Sequence, residues 1–178
     1  MTEQEDLAYR LREIGFSCTR CGGCCKGTAE DSNLVMVTPD EIDLISQGTG
    51  QPADCFTEPY PESVRIVAGG SLTFERCLSR TSSGCTFLSS GSCMVYPHRP
   101  WICRTYPFML DGDELMIFPC EGLGKEISGD QARDLALLLL RRRAAEMREE
   151  EAVRRVLSTV PVPEGKRVII DGRGMTVI

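Results

Sequence analysis

Four cysteines fall within eight residues, in the run Cys18-Thr-Arg-Cys21-Gly-Gly-Cys24-Cys25. A two-residue spacer lets a tight loop turn two sulfurs toward one point, with the loop's backbone amides facing them. Gly22 and Gly23 remove the Cβ groups that would crowd such a loop and allow the chain to double back. Repeating the unit brings Cys24 to the same place, so Cys18, Cys21 and Cys24 can cap one face of a metal ion or cluster. Cys25 stands apart, because neighbouring side chains diverge, and is expected to bind elsewhere. Ferredoxin-type runs divide the work in this way, three close cysteines serving one cluster and a fourth another. A disulfide framework or ordinary buried thiols would be the blander reading, but this density points to metal binding.

Four further cysteines, Cys85, Cys93, Cys103 and Cys120, lie in the middle third, too widely spaced for a local chelate. Each sits at the edge of an expected strand or turn, so only the fold can bring them together. The intervening sequence carries Cys85-Thr-Phe87-Leu88, then Cys93-x-x-Tyr96-x-x-Arg99-Pro100-x-x-Cys103-Arg104-x-Tyr106-Pro107-Phe108, then Cys120-Glu121-Gly122. With the first run, these motifs resemble the YkgJ-like cysteine-cluster family named for its CxxCxxCC signature and described as zinc- or iron-chelating domains. The resemblance covers residues 16 to 122, and departs from the family only where its closing Cys-Pro-Gly is Cys120-Glu121-Gly122.

The resemblance implies that Arg99 and Arg104 support the metal ligands from behind. One branch of the family is similar to flagellin lysine N-methylases, whose cysteine domain is associated with an iron–sulfur cluster and methyl transfer. This chain shows neither a glycine-rich nucleotide-binding loop nor the radical-SAM spacing C-x3-C-x2-C. Cys77 could be an extra ligand outside the pattern, and Cys55 is read as a bystander.

The expected metal ligands are therefore Cys18, Cys21, Cys24, Cys25, Cys85, Cys93, Cys103 and Cys120. Eight thiols suit two mononuclear sites, or one or two clusters. All-thiolate tetrahedral sites accept either zinc or iron–sulfur centres. Zinc commonly pairs two separated C-x2-C knuckles, and no second knuckle exists here. The compressed C-x2-C-x2-C run instead favours the three-point grip on a cubane, so an iron–sulfur cluster of the 4Fe-4S kind, or iron, is expected, with zinc as the alternative. Four thiolates around a divalent ion leave a net negative charge to be offset. Arg99 and Arg104 flank Cys103 and can supply that offset while lowering thiol pKa values; Arg20 and Lys26 could do so at the first loop, or be solvated charges. His98 is the only histidine, which removes any two-histidine metal site or His-based triad within one chain, and its place between prolines suggests exposure. Trp101, Tyr96, Tyr106 and Phe108 read as core and shielding groups around the sulfurs.

A chain of 178 residues is most economically one domain with a sizeable core. Its net charge of −6 disfavours nucleic acid and anionic membranes as partners, leaving a protein or small molecule that the sequence does not identify. The opening Met-Thr-Glu-Gln-Glu-Asp has no secretory-signal pattern, and no apolar run is long enough to span a bilayer. A cytoplasmic protein with reduced thiols is expected.

The elements that must position the thiols are legible in outline. Residues 3 to 14 predict a helix ended by Gly15, and Leu34 to Val37 a short strand. Thr38-Pro39-Asp40-Glu41 predicts a capping box, with Ile42 and Ile45 facing the core and Gly48 stopping the helix. Residues 51 to 61 predict an irregular loop. Hairpins are expected over Val64–Ala68 with Leu72–Arg76, Phe87–Leu88 with Met94–Tyr96, Phe108–Leu110 with Leu115–Phe118, and Arg167–Ile170 with Met175–Ile178. From Asp130 to Leu157 the pattern is helical, with Leu135, Leu138, Ala145, Ala152 and Val156 near one stripe; Arg142 and Glu149 interrupt it, so a break or an exposed half is expected. Arg141 to Arg143 reads as a solvated face, with an RNA-binding patch as a second reading, while Glu150–Arg154 and Glu151–Arg155 suit i,i+4 pairing. The expected fold class is α+β: a small, irregular, cysteine-rich metal-binding unit over residues 1–125 with short hairpins, and a long helix and terminal hairpin over 126–178 packed on it.

Overall fold

In the computed structural model, which describes residues 2–26, 34–65 and 70–178, helix α1 runs Glu3–Ile14. Thr2 and Glu5 close a capping box at its start, Leu7 and Leu11 are buried, and Gly15 ends it at a positive φ of 69°. A single helical turn, α2 (Gly23–Lys26), follows inside the cysteine run. Helix α3 (Pro39–Thr49) starts at the expected Thr38 capping box but continues past Gly48 to a left-handed Gly50. Gly48 has a different use: a Cβ there would come within 2.3 Å of the His98 ring. His98 is accordingly half-buried against α3, not exposed as its flanking prolines suggested.

Residues 51–61 are more ordered than a loop. Ala53–Cys55 forms a 3-10 turn, and Thr57–Pro59 pairs antiparallel with Arg76–Leu78. Phe56, wholly buried between them, supplies the apolar anchor that polar and proline-rich neighbours hid. Strand Met36–Val37 pairs with the other edge of Arg76–Leu78. The expected hairpins form over Phe108–Asp111 with Glu114–Ile117 and Arg167–Asp171 with Gly174–Val177. The one expected over Phe87–Leu88 with Met94–Tyr96 is instead a tighter pair, Leu88–Ser89 with Ser92–Cys93, and Met94 and Val95 form a turn leading into the 3-10 turn Tyr96–His98. Val64–Arg65 pairs with Ser71–Phe74; residues 66–69 of that expected hairpin lie outside the described residues. The terminal hairpin also joins Ser71–Phe74 in parallel, with Val168 opposite Leu72 and Ile170 opposite Phe74, to make a four-stranded sheet.

Helix α4 (Trp101–Thr105) is a short turn carrying Cys103, and α5 (Gly129–Thr159) is the long C-terminal helix. Ser128 and Gln131 close a capping box at the start of α5, which runs unbroken through Arg142 and Glu149. Its buried stripe is Ala132, Ala136, Leu139, Arg142 and Val153, rotated from the expected one because small alanines let α1 approach closely. The pairs Glu150–Arg154 and Glu151–Arg155 form as expected on the exposed face. No helix among the described residues is long and apolar enough to cross a membrane.

The expected solvated run at Arg141–Arg143 is not one. Arg142 is only 6% exposed; its Nε donates to Glu146 Oε1 at 2.7 Å and its Nη1 to Thr105 Oγ1 at 2.9 Å. Arg143 reaches Glu3 and Asp113 instead of bulk solvent. Glu41, 9% exposed, accepts the Trp101 amide at 2.6 Å while still capping α3 through the Thr38 amide at 2.9 Å. Helix α4 is thus held at its first residue by α3 and at its last by α5. Replacing Arg142 by alanine removes charged hydrogen bonds from a buried site and should destabilise the fold by about 2–4 kcal/mol, read as a lower midpoint in urea unfolding.

Candidate metal centre

Three backbone approaches bring the cysteine run to the distant cysteines. Residues 15–17 pair with residues 122–124: the Ser17 amide donates to Gly122 O at 3.0 Å, and the Gly124 amide to Gly15 O at 3.0 Å. A Cβ at Gly122 would stand 2.5 Å from Ser17 O, so only glycine permits this clasp, which sets Cys18 beside Cys120. Gly84 lies against the end of α2, where a Cβ would meet Cys25 O at 2.5 Å, and its φ of 126° also requires glycine. Arg80 reinforces that contact by donating to Lys26 O at 2.9 Å. Cys85 is thereby delivered next to Cys25. Helix α4, fixed at both ends, delivers Cys103.

The outcome is two adjoining cysteine-lined cavities. The smaller, of about 100 Å³, is lined by Cys18, Cys24, Cys25, Cys85, Cys93 and Cys103. The larger and more open one, of about 560 Å³, is lined by Cys18, Cys21, Cys24, Cys103 and Cys120. All eight expected ligand residues line one cavity or both, and every cysteine of the chain is a free thiol. Cys77 is buried in strand Arg76–Leu78 with its sulfur 3.7 Å from Glu58 O, and lines neither cavity. Cys55 is exposed on its 3-10 turn, away from both.

Four of the sulfurs sit in the same local turn, accepting an amide from two residues on. The Gly23 amide donates to Cys21 Sγ and the Gly122 amide to Cys120 Sγ, each at 3.4 Å. The Phe87 and Val95 amides do the same for Cys85 and Cys93. Such N–H···S contacts favour the thiolate. Against them stand burial and mutual repulsion. The Cys103 thiol is pushed up to about 12, first by burial and then by Cys85, Cys24 and Cys93. Burial likewise raises Cys85, Cys93 and Cys120. The adjacent pair splits: Cys24 falls to about 6 because the Cys25 thiol hydrogen-bonds to it, and Cys25 rises for the same reason.

Cationic groups are built into the wall. The Arg99 guanidinium lies over the Tyr96 ring, 3.6 Å from its centroid, and that of Arg20, from the first cysteine loop, lies 4.3 Å from the same centroid. Arg99 is fixed by donating to Tyr96 O at 3.1 Å and Cys103 O at 3.2 Å. Arg104 donates its Nε to Arg99 O and sets its guanidinium near Trp101. Tyr96 is thus a bridge between the two cysteine groups through cation–π contacts. Tyr106 stacks with Phe118 beside the larger cavity, whereas Phe108 belongs to the α1–α5 core, edge-on to Phe16. Arg20 and Tyr96 stand at the site as their places beside the cysteines suggested. Sequence spacing does not place Gly84 there, although the i, i+3 and i+4 steps from Ala132 do place Arg142 on the buried stripe behind it.

Among the described residues, no three His, Cys, Asp or Glu side chains are arranged to hold a metal ion as they stand. The donor set nonetheless fits one. The thiols share cavities, and their sulfurs each turn on a single χ1 torsion. The burial and mutual repulsion that raise several of them act on the bare anion, whose charge a bound cation offsets. A family model described as "CxxCxxCC: Putative zinc- or iron-chelating domain" matches residues 17–132. No solved structure matches the chain.

In the reduced, metal-free chain, Cys24 should be the thiolate at neutral pH. Its alkylation by iodoacetamide is expected to reach half its maximal rate near pH 6, below the range of an ordinary thiol, and to move upward when Cys25 is replaced by alanine. Peptide mass mapping across a pH series reads both effects.

Proposed function

The chain belongs to the CxxCxxCC family of zinc- or iron-chelating domains, and from that premise we propose that its cysteines hold an iron–sulfur or iron centre with a redox or group-transfer role. The observation that carries this reading is the meeting of the compact Cys18-x2-Cys21-x2-Cys24 run with Cys120 around one open cavity. Three close thiols and one distant one are the grip of a cubane cluster, whereas zinc knuckles come in separated pairs. Cys18, Cys21, Cys24, Cys25, Cys85, Cys93, Cys103 and Cys120 are the proposed ligands. Such a centre, when bound, supplies one-electron or Lewis-acid chemistry at a site that neutral side chains cannot provide.

The chain's own residues prepare that site. Arg20 and Arg99 place positive charge against Tyr96, which offsets the surplus negative charge of a four-thiolate centre. The amides of residues 23, 87, 95 and 122 point at sulfurs and stabilise them as anions. Cys18, Cys21 and Cys24 are exposed, so a partner, whether protein or small molecule, would meet the centre on the side of the first loop. Zinc is the second reading, because an all-thiolate tetrahedral site accepts zinc as well as iron–sulfur centres.

Anaerobic purification followed by iron, zinc and acid-labile sulfide analysis separates the readings. A brown protein that bleaches in dithionite and contains iron and sulfide supports the first; a colourless protein with stoichiometric zinc replaces it with the second. Cys21→Ser should remove the metal that Cys21 helps to hold in either case. Arg99→Gln should weaken retention by about 10–100-fold, measured by competition with a chelator, because it removes support behind the ligands without removing a thiol.

A further inference from the structure

We infer that the eight thiols divide into two separate four-thiolate centres, Cys18/Cys21/Cys24/Cys120 and Cys25/Cys85/Cys93/Cys103, joined through the single Cys24–Cys25 peptide. This rests on the metal-binding reading above and adds the number of centres and the ownership of each ligand.

The two cavities carry the division. Cys25, Cys85 and Cys93 line only the smaller one, and Cys21 and Cys120 only the larger. Cys18, Cys24 and Cys103 line both, so backbone placement decides them. Cys18 leaves the clasp between residues 15–17 and 122–124, which ties it to Cys120. Cys24 ends the C-x2-C-x2-C run that starts there. Cys103 is held on α4, while Cys85 and Cys93 pack against the cluster around Phe87 and Val95. Gly84, pressed on Cys25 O, fixes the approach of that strand.

The α2 turn is what separates the sets. Cys24 and Cys25 are consecutive in a helical turn, where side chains at i and i+1 leave the axis about 100° apart. The two thiols, in contact with each other in the metal-free chain, can thus each turn to a different cavity. One peptide therefore feeds both cavities with one thiol each. The smaller cavity is the more buried and the larger opens to solvent, so the centres differ in access.

The test uses the metal-loaded full chain. Native mass spectrometry should find two centres per wild-type chain. Cys120→Ser and Cys85→Ser should each lose one centre and keep the other, and the double variant should lose both. Graded chelation of the wild type, followed by alkylation and peptide mapping, needs no variant to fold: Cys18, Cys21, Cys24 and Cys120 should become labelled as one block, and Cys25, Cys85, Cys93 and Cys103 as another. The solvent-facing block should be released first. A single centre in the wild type, loss of all metal in a folded single variant, or labels that appear together or in mixed blocks would overturn the division while leaving metal binding intact. A wild-type chain that holds no metal would end the underlying reading as well.

Discussion

The placement of α4 between two buried ionic groups is the constraint on which the rest of the site depends. A five-residue helix has too few internal hydrogen bonds to hold its own position. Glu41 accepts its first amide from α3, and Arg142 grips Thr105 at its other end from α5, while the Thr105 hydroxyl donates back to Trp101 O. Neither charge is left bare: Glu41 also caps its own helix, and Arg142 pairs with Glu146. Burial without those partners would cost several kcal/mol, so the same contacts that satisfy the charges also fix the geometry. Cys103, Arg99 and Arg104 are all referred to this one short element.

The cysteine walls are assembled by backbone, not by side-chain packing. At Gly122 and Gly84 the chain passes so close to Ser17 O and Cys25 O that any Cβ would collide. These are two fixed points, one for each end of the first cysteine run. Because several of the thiols are half-buried and their anions repel one another, gathering them as thiolates would be unfavourable without compensating charge. Arg20 and Arg99 supply part of it through Tyr96, which links a loop from the N-terminal third to the middle of the chain. Structure and electrostatics therefore act on the same residues.

The long helix plays two parts along its length. Its first half packs α1 through alanines, and its second half covers the sheet formed by Ser71–Phe74 and the terminal strands, with Val153 against Leu72, Val168 and Ile170. Between these halves sits Arg142, the point at which the helix reaches the metal-binding region. A charged residue on a buried stripe is easily read as an interruption of amphipathic pattern. Here it marks the contact that joins the helix to the site.

The features already determined by sequence alone are those that depend on residues close together in the chain. The capping box at Thr38, the tight turns of the hairpins and the C-x2-C-x2-C run each involve groups within a few positions of one another, so their chemistry is complete in the local string. The eight cysteines could likewise be picked out by their motifs. Only the tertiary structure decided which thiols share a cavity, that Arg142 is buried, that Gly84 and Gly122 are crossing points, and that Ser71–Phe74 pairs in parallel with Arg167–Asp171. Each of those facts is a meeting of segments tens of residues apart. Such meetings are selected by packing and charge satisfaction over the whole chain, and no local window contains that information.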